Sequence, residues 1–242
     1  MTLKGIIYYT DNYKLDRPIM PMAQRFIAES GLPIVSVSLK RPISFGKNIV
    51  LKGKTRGLYT LTLQILTALA NSHSRYIFFC EHDILYHRTH FDFIPPKDAT
   101  YYYNVNVWRW RYHSDLVITH SNIRSLSGLC CHRKLAIQHF QRYRRVLDKQ
   151  GLAKDSPKQP RWLRKLGYEP GSTGGKMGLP KEPIGTWKSE FPNVDIRHRF
   201  CFTHRKTNIE SCVRKPKDWE EHTIDDIPGW NIRELFGEHL YV

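Results

Sequence analysis

Apolar and polar positions alternate along the chain in a pattern that opens as β-α-β. Gly5-Ile6-Ile7-Tyr8-Tyr9 is a short β-rich run that stops at the polar triplet Thr10-Asp11-Asn12. The stretch 20–30 has helical spacing and closes at Gly31, and 33–39 alternates as a strand. After a Gly/Lys-rich loop over 40–57, apolar residues at 58, 61, 65, 66 and 69 predict one buried helical face over 58–71. Tyr76-Ile77-Phe78-Phe79-Cys80 is a near-continuous apolar strand ending in Glu81-His82-Asp83. Polar residues directly after such a strand lie at the carboxyl edge of a parallel sheet, where open α/β sheets bind ligands. Farther on, 101–110 predicts a strand, 126–131 a short one, and 132–149 a basic amphipathic helix. The Pro- and Gly-rich stretch 151–188 reads as a mobile active-site loop, not a domain boundary.

The 242 residues suit a single α/β domain, and 40% hydrophobic with 12% aromatic content excludes a disordered polycation. The formal charge of +16 is unevenly spread: residues 1–100 carry +6, 101–217 carry +16 and 218–242 carry −6. This divides the domain into a first part of modest charge, a strongly basic middle and an acidic C-terminal segment. With no run of 18 apolar residues and no secretory signal after Met1, the expectation is a cytoplasmic protein. Five cysteines, an odd number without scaffold spacing, predict reduced thiols.

Glu81-x-Asp83 places two carboxylates at one strand end, where they suit a hard divalent cation, Mg²⁺ or Mn²⁺; the bland alternative is two solvated loop acids. A second cluster is Asp195-Ile196-Arg197-His198, with Arg199, Cys201, His204 and Arg205 following. A basic edge strand competes with a functional reading of it, as does a zinc site at His198-x2-Cys201-x2-His204-x7-Cys212, although structural zinc normally has tighter paired spacing. Vicinal Cys130-Cys131 sit in an apolar strand and predict packing, not thiol chemistry. Gly171-Ser172-Thr173-Gly174-Gly175-Lys176 lacks the spacing of an ATP phosphate loop and suits a closing loop better.

The succession Lys54-Thr55-Arg56-Gly57, helix, apolar strand and Glu81-His82-Asp83 resembles the middle of the GT-A glycosyltransferases, especially the large inverting family 2 type. The resemblance implies a Rossmann-like, mostly parallel sheet flanked by helices. It also implies a nucleotide-sugar donor, with Lys54 and Arg56 facing it and a metal held on its diphosphate. That family's first Asp is Glu81 here, which leaves Asp83 the safer ligand. Tyr9, Thr10 and Asp11 fall where such enzymes hold the uracil and ribose of a UDP-sugar, and Ser127 to Arg133 matches the acceptor-side strand. Glu169, in Tyr168-Glu169-Pro170-Gly171, falls at the family's catalytic carboxylate, with Asp195 next and Asp115 third. A C-terminal histidine completing the metal shell implies His198, with His204 in reserve, and Arg197, Arg199 and Arg205 as phosphate clamps. Coverage is roughly residues 5–205.

Residues 133–165 hold 11 Lys/Arg against two Asp, among them Arg133, Arg142, Arg144, Arg145, Lys149, Arg161, Arg164 and Lys165, with Trp162 interleaved. Such a stretch suits a polyanion. The chain resembles in outline the phage-type enzymes that glycosylate hydroxymethylpyrimidines in DNA, which implies a DNA acceptor and the host cytoplasm. Trp108, Trp110 and Trp162 then read as stacking or core residues. Two alternatives stay open: an envelope or lipid-linked saccharide acceptor, and a nucleic-acid-binding module on a degenerate GT-A scaffold.

Overall fold

The computed structural model describes residues 2–12, 18–121, 124–152, 169–171, 179–199, 201, 215 and 218–241. A seven-stranded sheet has the order β10-β6-β9-β4-β1-β2-β3. Its strands are β1 (Lys4–Thr10), β2 (Ile34–Ser38), β3 (Lys47–Val50), β4 (Tyr76–Glu81), β6 (Tyr101–Asn104), β9 (Leu129–His132) and β10 (Ile184–Trp187). Strand β9 alone runs against its neighbours; the remaining strands share one direction. The fold is therefore α/β, with a mainly parallel central sheet flanked by helices.

Both faces of this sheet are covered, which explains its unbroken apolar strands. Ile7, Tyr9, Ile77 and Phe79 face α2 (Leu58–Asn71) and α3 (Arg133–Lys149). Ile6, Tyr8, Phe78 and Cys80 pack on the other side with Ile27 of α1 (Ile19–Ala28) and with Phe45 and Phe91. Gly5 is required at the start of β1, since a Cβ there would meet Ser74 Oγ at 2.2 Å. Gly31, with φ +66°, ends the turn after α1 as its position predicts.

A second sheet, absent from the sequence reading, has the order β12-β8-β7-β11-β5. It comprises β5 (Ile84–Leu85), β7 (Val107–Arg111), β8 (Val117–Thr119), β11 (Asn193–Arg197) and β12 (Glu220–His222), closed by the short helix α4 (Ile232–Phe236). The expected strand over 101–110 is thus two strands in two sheets. Asn104 breaks it by accepting the Asn106 N–H on its side chain at 2.9 Å. The expected strand over 126–131 begins instead as a 3-10 turn at Leu126–Gly128 before β9. Strand β3 corrects the loop expected over 40–57, and β10 corrects the loop expected up to 188; most of that loop lies outside the described residues. Trp110 is core, Trp108 is half-buried against His222, and Cys130 and Cys131 are packed inside β9 as expected. Trp162 lies outside the described residues.

The chain passes between the sheets five times, and two of these crossings, from β6 to β7 and from β10 to β11, run side by side. A buried polar group ties these two together. Asn104 Nδ2 donates to Ser189 Oγ at 2.8 Å, Asn106 Nδ2 to Ser189 O at 2.9 Å, and the Asn193 N–H to Asn106 O at 3.0 Å. His90, fully buried, accepts on Nδ1 from the side-chain amides of Asn104 and Asn193, each at 3.0 Å. Burial lowers its pKa from 6.5 to about 3, so the ring is neutral. Because the unfolded chain takes that proton more readily, stability from His90 is complete above about pH 6.5 and falls as the pH drops toward 3. Urea unfolding of wild type and His90→Leu at several pH values should show the variant weaker at pH 7 but with a shallower loss on acidification. Parallel pH profiles would contradict this.

Candidate active site

The carboxyl ends of β1 and β4 open into a cleft, floored on its far side by β11. After Glu81 the chain turns through His82 and Asp83 and enters β5, which pairs with β11 so that Ile84 lies opposite Asp195. The Ile196 N–H also donates to Asp83 O at 2.9 Å. Two segments far apart in sequence, 81–84 and 195–201, thereby share one cleft. Tyr9, Thr10, Asp11 and Arg56 line its other end.

Within it, Tyr9 donates its hydroxyl to Glu81 Oε1 at 3.0 Å, and Arg56 Nε pairs with Asp11 Oδ2 at 2.6 Å. Gln64, a residue without a sequence signal beyond its helical position, donates from its buried amide to Thr10 O at 2.8 Å and Val37 O at 3.1 Å. It pins the ends of β1 and β2 where the polar residues emerge. Helix α2 points its N-terminus into the same space, with no acidic residue in its first turn and no side-chain cap. That end attracts anions.

Asp195 is 2% exposed and is held by two guanidiniums: Arg197, its neighbour on β11, and Arg109 of β7 at 3.6 Å. Arg197 is also buried; burial, and then the nearby Arg109 charge, lower it to about 10, leaving it cationic at neutral pH. Arg109 in turn donates to His120 Nε2 at 3.0 Å.

Side chains able to hold a metal come together in a different combination from the expected Glu81, Asp83 and His198. One ligand atom each from His82, Asp83 and His198 lies within 4.8 Å of the others, and Glu81, engaged by Tyr9, is not in that group. His82 stood in the motif without an assigned role; only the turn geometry directs its ring toward Asp83. Two imidazoles and a carboxylate fit a borderline divalent ion better than the all-oxygen shell of Mg²⁺. Cys201, buried in the same cleft, has its thiol pushed up to about 12 by burial and then by the Asp83 charge.

Several expected site residues lie elsewhere. Lys54 is exposed and does not line the cleft. Glu169 does not line it either; it sits near the Tyr103 and Tyr143 phenols, whose protons its charge helps retain after burial. Asp115 is at the surface with Arg233 and Tyr241. Of the basic run, Arg142 is tied to half-buried Glu182, which also accepts from His139 at 2.8 Å, and Arg133 donates to Leu69 O at 3.2 Å. Arg144, Arg145 and Lys149 are exposed. Arg161, Arg164, Lys165, His204, Arg205 and Cys212 lie outside the described residues.

No protein-family model and no curated protein sequence matches the chain. Solved structures with a similar course include an inositol-1-phosphate CTP transferase from T. maritima, 11% identical over 81% of this chain and 90% of that one, TM-score 0.45. A glycosyltransferase involved in glycosylation of the major capsid of PBCV-1 is 7% identical over 85% and 97%, TM-score 0.44. The glycosyltransferase GlyE of Streptococcus pneumoniae TIGR4 is 11% identical over 69% and 44%, TM-score 0.35.

The buried ion group has a direct stability consequence. Asp195→Ala would leave Arg197 and Arg109 facing each other in the protein interior, at a cost of about 3–5 kcal/mol in denaturant unfolding. Asp11→Ala, at the more open Arg56 pair, should cost about 0–1 kcal/mol. Equal losses would show that the Asp195 group is not a buried charge cluster.

Proposed function

We propose that this protein is a metal-dependent glycosyltransferase that moves a sugar from a nucleotide-sugar, a UDP-sugar, to a hydroxyl on modified DNA with inversion. The observation that carries the reading is one cleft lined by Tyr9 to Asp11, Arg56, the Glu81-His82-Asp83 turn and the Asp195–Arg197 pair. Each meets a demand of glycosyl transfer. Asp11 offers acceptor oxygens to a base or ribose. The uncapped α2 N-terminus and Arg56 suit a diphosphate. A divalent ion held by His82, Asp83 and His198 would neutralise the departing diphosphate.

Asp195 replaces Glu169 as our leading proton acceptor, because it lines the cleft. In the free protein its oxygens are held by Arg197 and Arg109. A bound diphosphate would compete for those guanidiniums and release a carboxylate lone pair for the attacking hydroxyl. The acceptor assignment is supported by α3. Its C-terminal half, carrying exposed Arg144, Arg145 and Lys149, packs beside Leu58 and Tyr59 at the start of α2, next to the cleft.

The test incubates the protein with hydroxymethylcytosine DNA, several UDP-sugars and divalent metals, and weighs the nucleosides by mass spectrometry. A hexose-sized mass increase is expected; transfer to a glycan acceptor alone would move the assignment to envelope saccharides. Asp195→Asn should lower turnover by about 10²- to 10⁴-fold while Glu169→Gln leaves it near wild type, and the reverse order would restore Glu169. Charge reversal at Arg144 and Arg145 should weaken DNA binding and spare UDP binding. Tight, salt-sensitive DNA binding with no stabilisation by UDP and metal would instead identify a binding module.

A further inference from the structure

Among its described residues the cleft contains one soft donor, for which an oxygen-and-imidazole metal site has no use. Cys201 Sγ lies 3.6 Å from Asp83 Oδ2 and 3.6 Å from Ile196 O. The same Asp83 oxygen stands 3.9 Å from His198 Nε2. The Cys201 N–H is bonded to His198 O at 3.1 Å, so one tight turn carries both the imidazole and the thiol toward one carboxylate oxygen. In a tetrahedral zinc centre, with zinc–sulfur near 2.3 Å and zinc–oxygen near 2.0 Å, the sulfur and oxygen ligands stand about 3.5 Å apart. Thiol and carboxylate already have that spacing.

We propose that Cys201, which touches the His82, Asp83 and His198 group through Asp83 and stands outside it, swings its sulfur in as a further metal ligand on loading, and that the cleft therefore selects a thiophilic borderline ion of the zinc type over Mg²⁺. Thiolate and imidazole donors favour such ions, whereas Mg²⁺ favours an all-oxygen shell. On loading, the S–H bond breaks, the proton passes to solvent and a sulfur–metal bond forms. His82 and Asp83 come from the turn after β4, and His198 and Cys201 from the end of β11, so the ion would clip the two sheets together. The inference takes the location of the metal from the reading above, but its test needs no sugar, acceptor or turnover.

The experiment titrates the full chain with Co²⁺ and records the near-ultraviolet thiolate-to-cobalt charge-transfer band, then displaces Co²⁺ with Zn²⁺ or Mg²⁺. Wild type should develop the band at one equivalent and lose it to Zn²⁺ but not to a large excess of Mg²⁺. Cys201→Ser should bind Co²⁺ without the band, with Zn²⁺ affinity reduced on the order of 10- to 100-fold. His82→Asn, altering the half-exposed ligand, should keep the band at weaker affinity. Co²⁺ bound to wild type without a thiolate band, or a band unchanged in Cys201→Ser, would overturn the proposal. Thermal stabilisation by UDP, measured in parallel, separates the two readings. A missing band with UDP stabilisation intact removes only the thiolate ligand; a band without UDP stabilisation supports the ligand and removes the donor assignment.

Discussion

The arrangement of the cleft depends on a two-residue strand. Strand β5 is only Ile84–Leu85, yet its pairing with β11, extended by the Ile196 N–H to Asp83 O bond, holds the end of the seven-stranded sheet against the second sheet. Everything chemical in the cleft is registered to that contact. It sets Asp83 beside His198 and Cys201, and brings Asp195 and Arg197 into the space that Tyr9, Asp11 and Arg56 line from the other side. A slip of one residue in this pairing would turn Asp195 away from the cleft, because alternate residues of a strand face opposite sides.

Charge burial reinforces that register. A carboxylate with two guanidiniums, largely withdrawn from water, is weak as a source of stability because desolvation offsets most of the attraction. It is strong as a constraint, because any rearrangement that separates the partners leaves a charge unmatched. The group holds two cations in reserve at the point where an anionic ligand would arrive, and it holds them without lengthening β11 or adding a loop.

What the sequence made legible was local. The bounds of α2 follow from apolar spacing, and the position of Glu81-His82-Asp83 follows from an apolar strand meeting three polar residues. The second sheet was not legible, since β5, β8 and β12 have two or three residues each and no period can be read from so few. The alternation through 101–110 concealed the break at Asn104, which a side-chain hydrogen bond produces and no pattern announces. Gln64, His82 and Arg109 escaped notice for a related reason: each acts through a partner distant in sequence. The basic run over 133–165 was legible as composition but not as surface, because Glu182 withdraws Arg142 from it.

The paired crossings between the sheets have a mechanical meaning. A single chain crossing is a swivel, about which two sheets can twist or shear. Here two crossings lie side by side, bonded to each other through Asn104, Asn106, Ser189 and Asn193, with His90 filling the space between. Two pins make a bracket. Displacement of one sheet would have to stretch both at once, so the cleft walls keep a fixed separation, and accommodation to a ligand falls to side chains and to the loops at the rim.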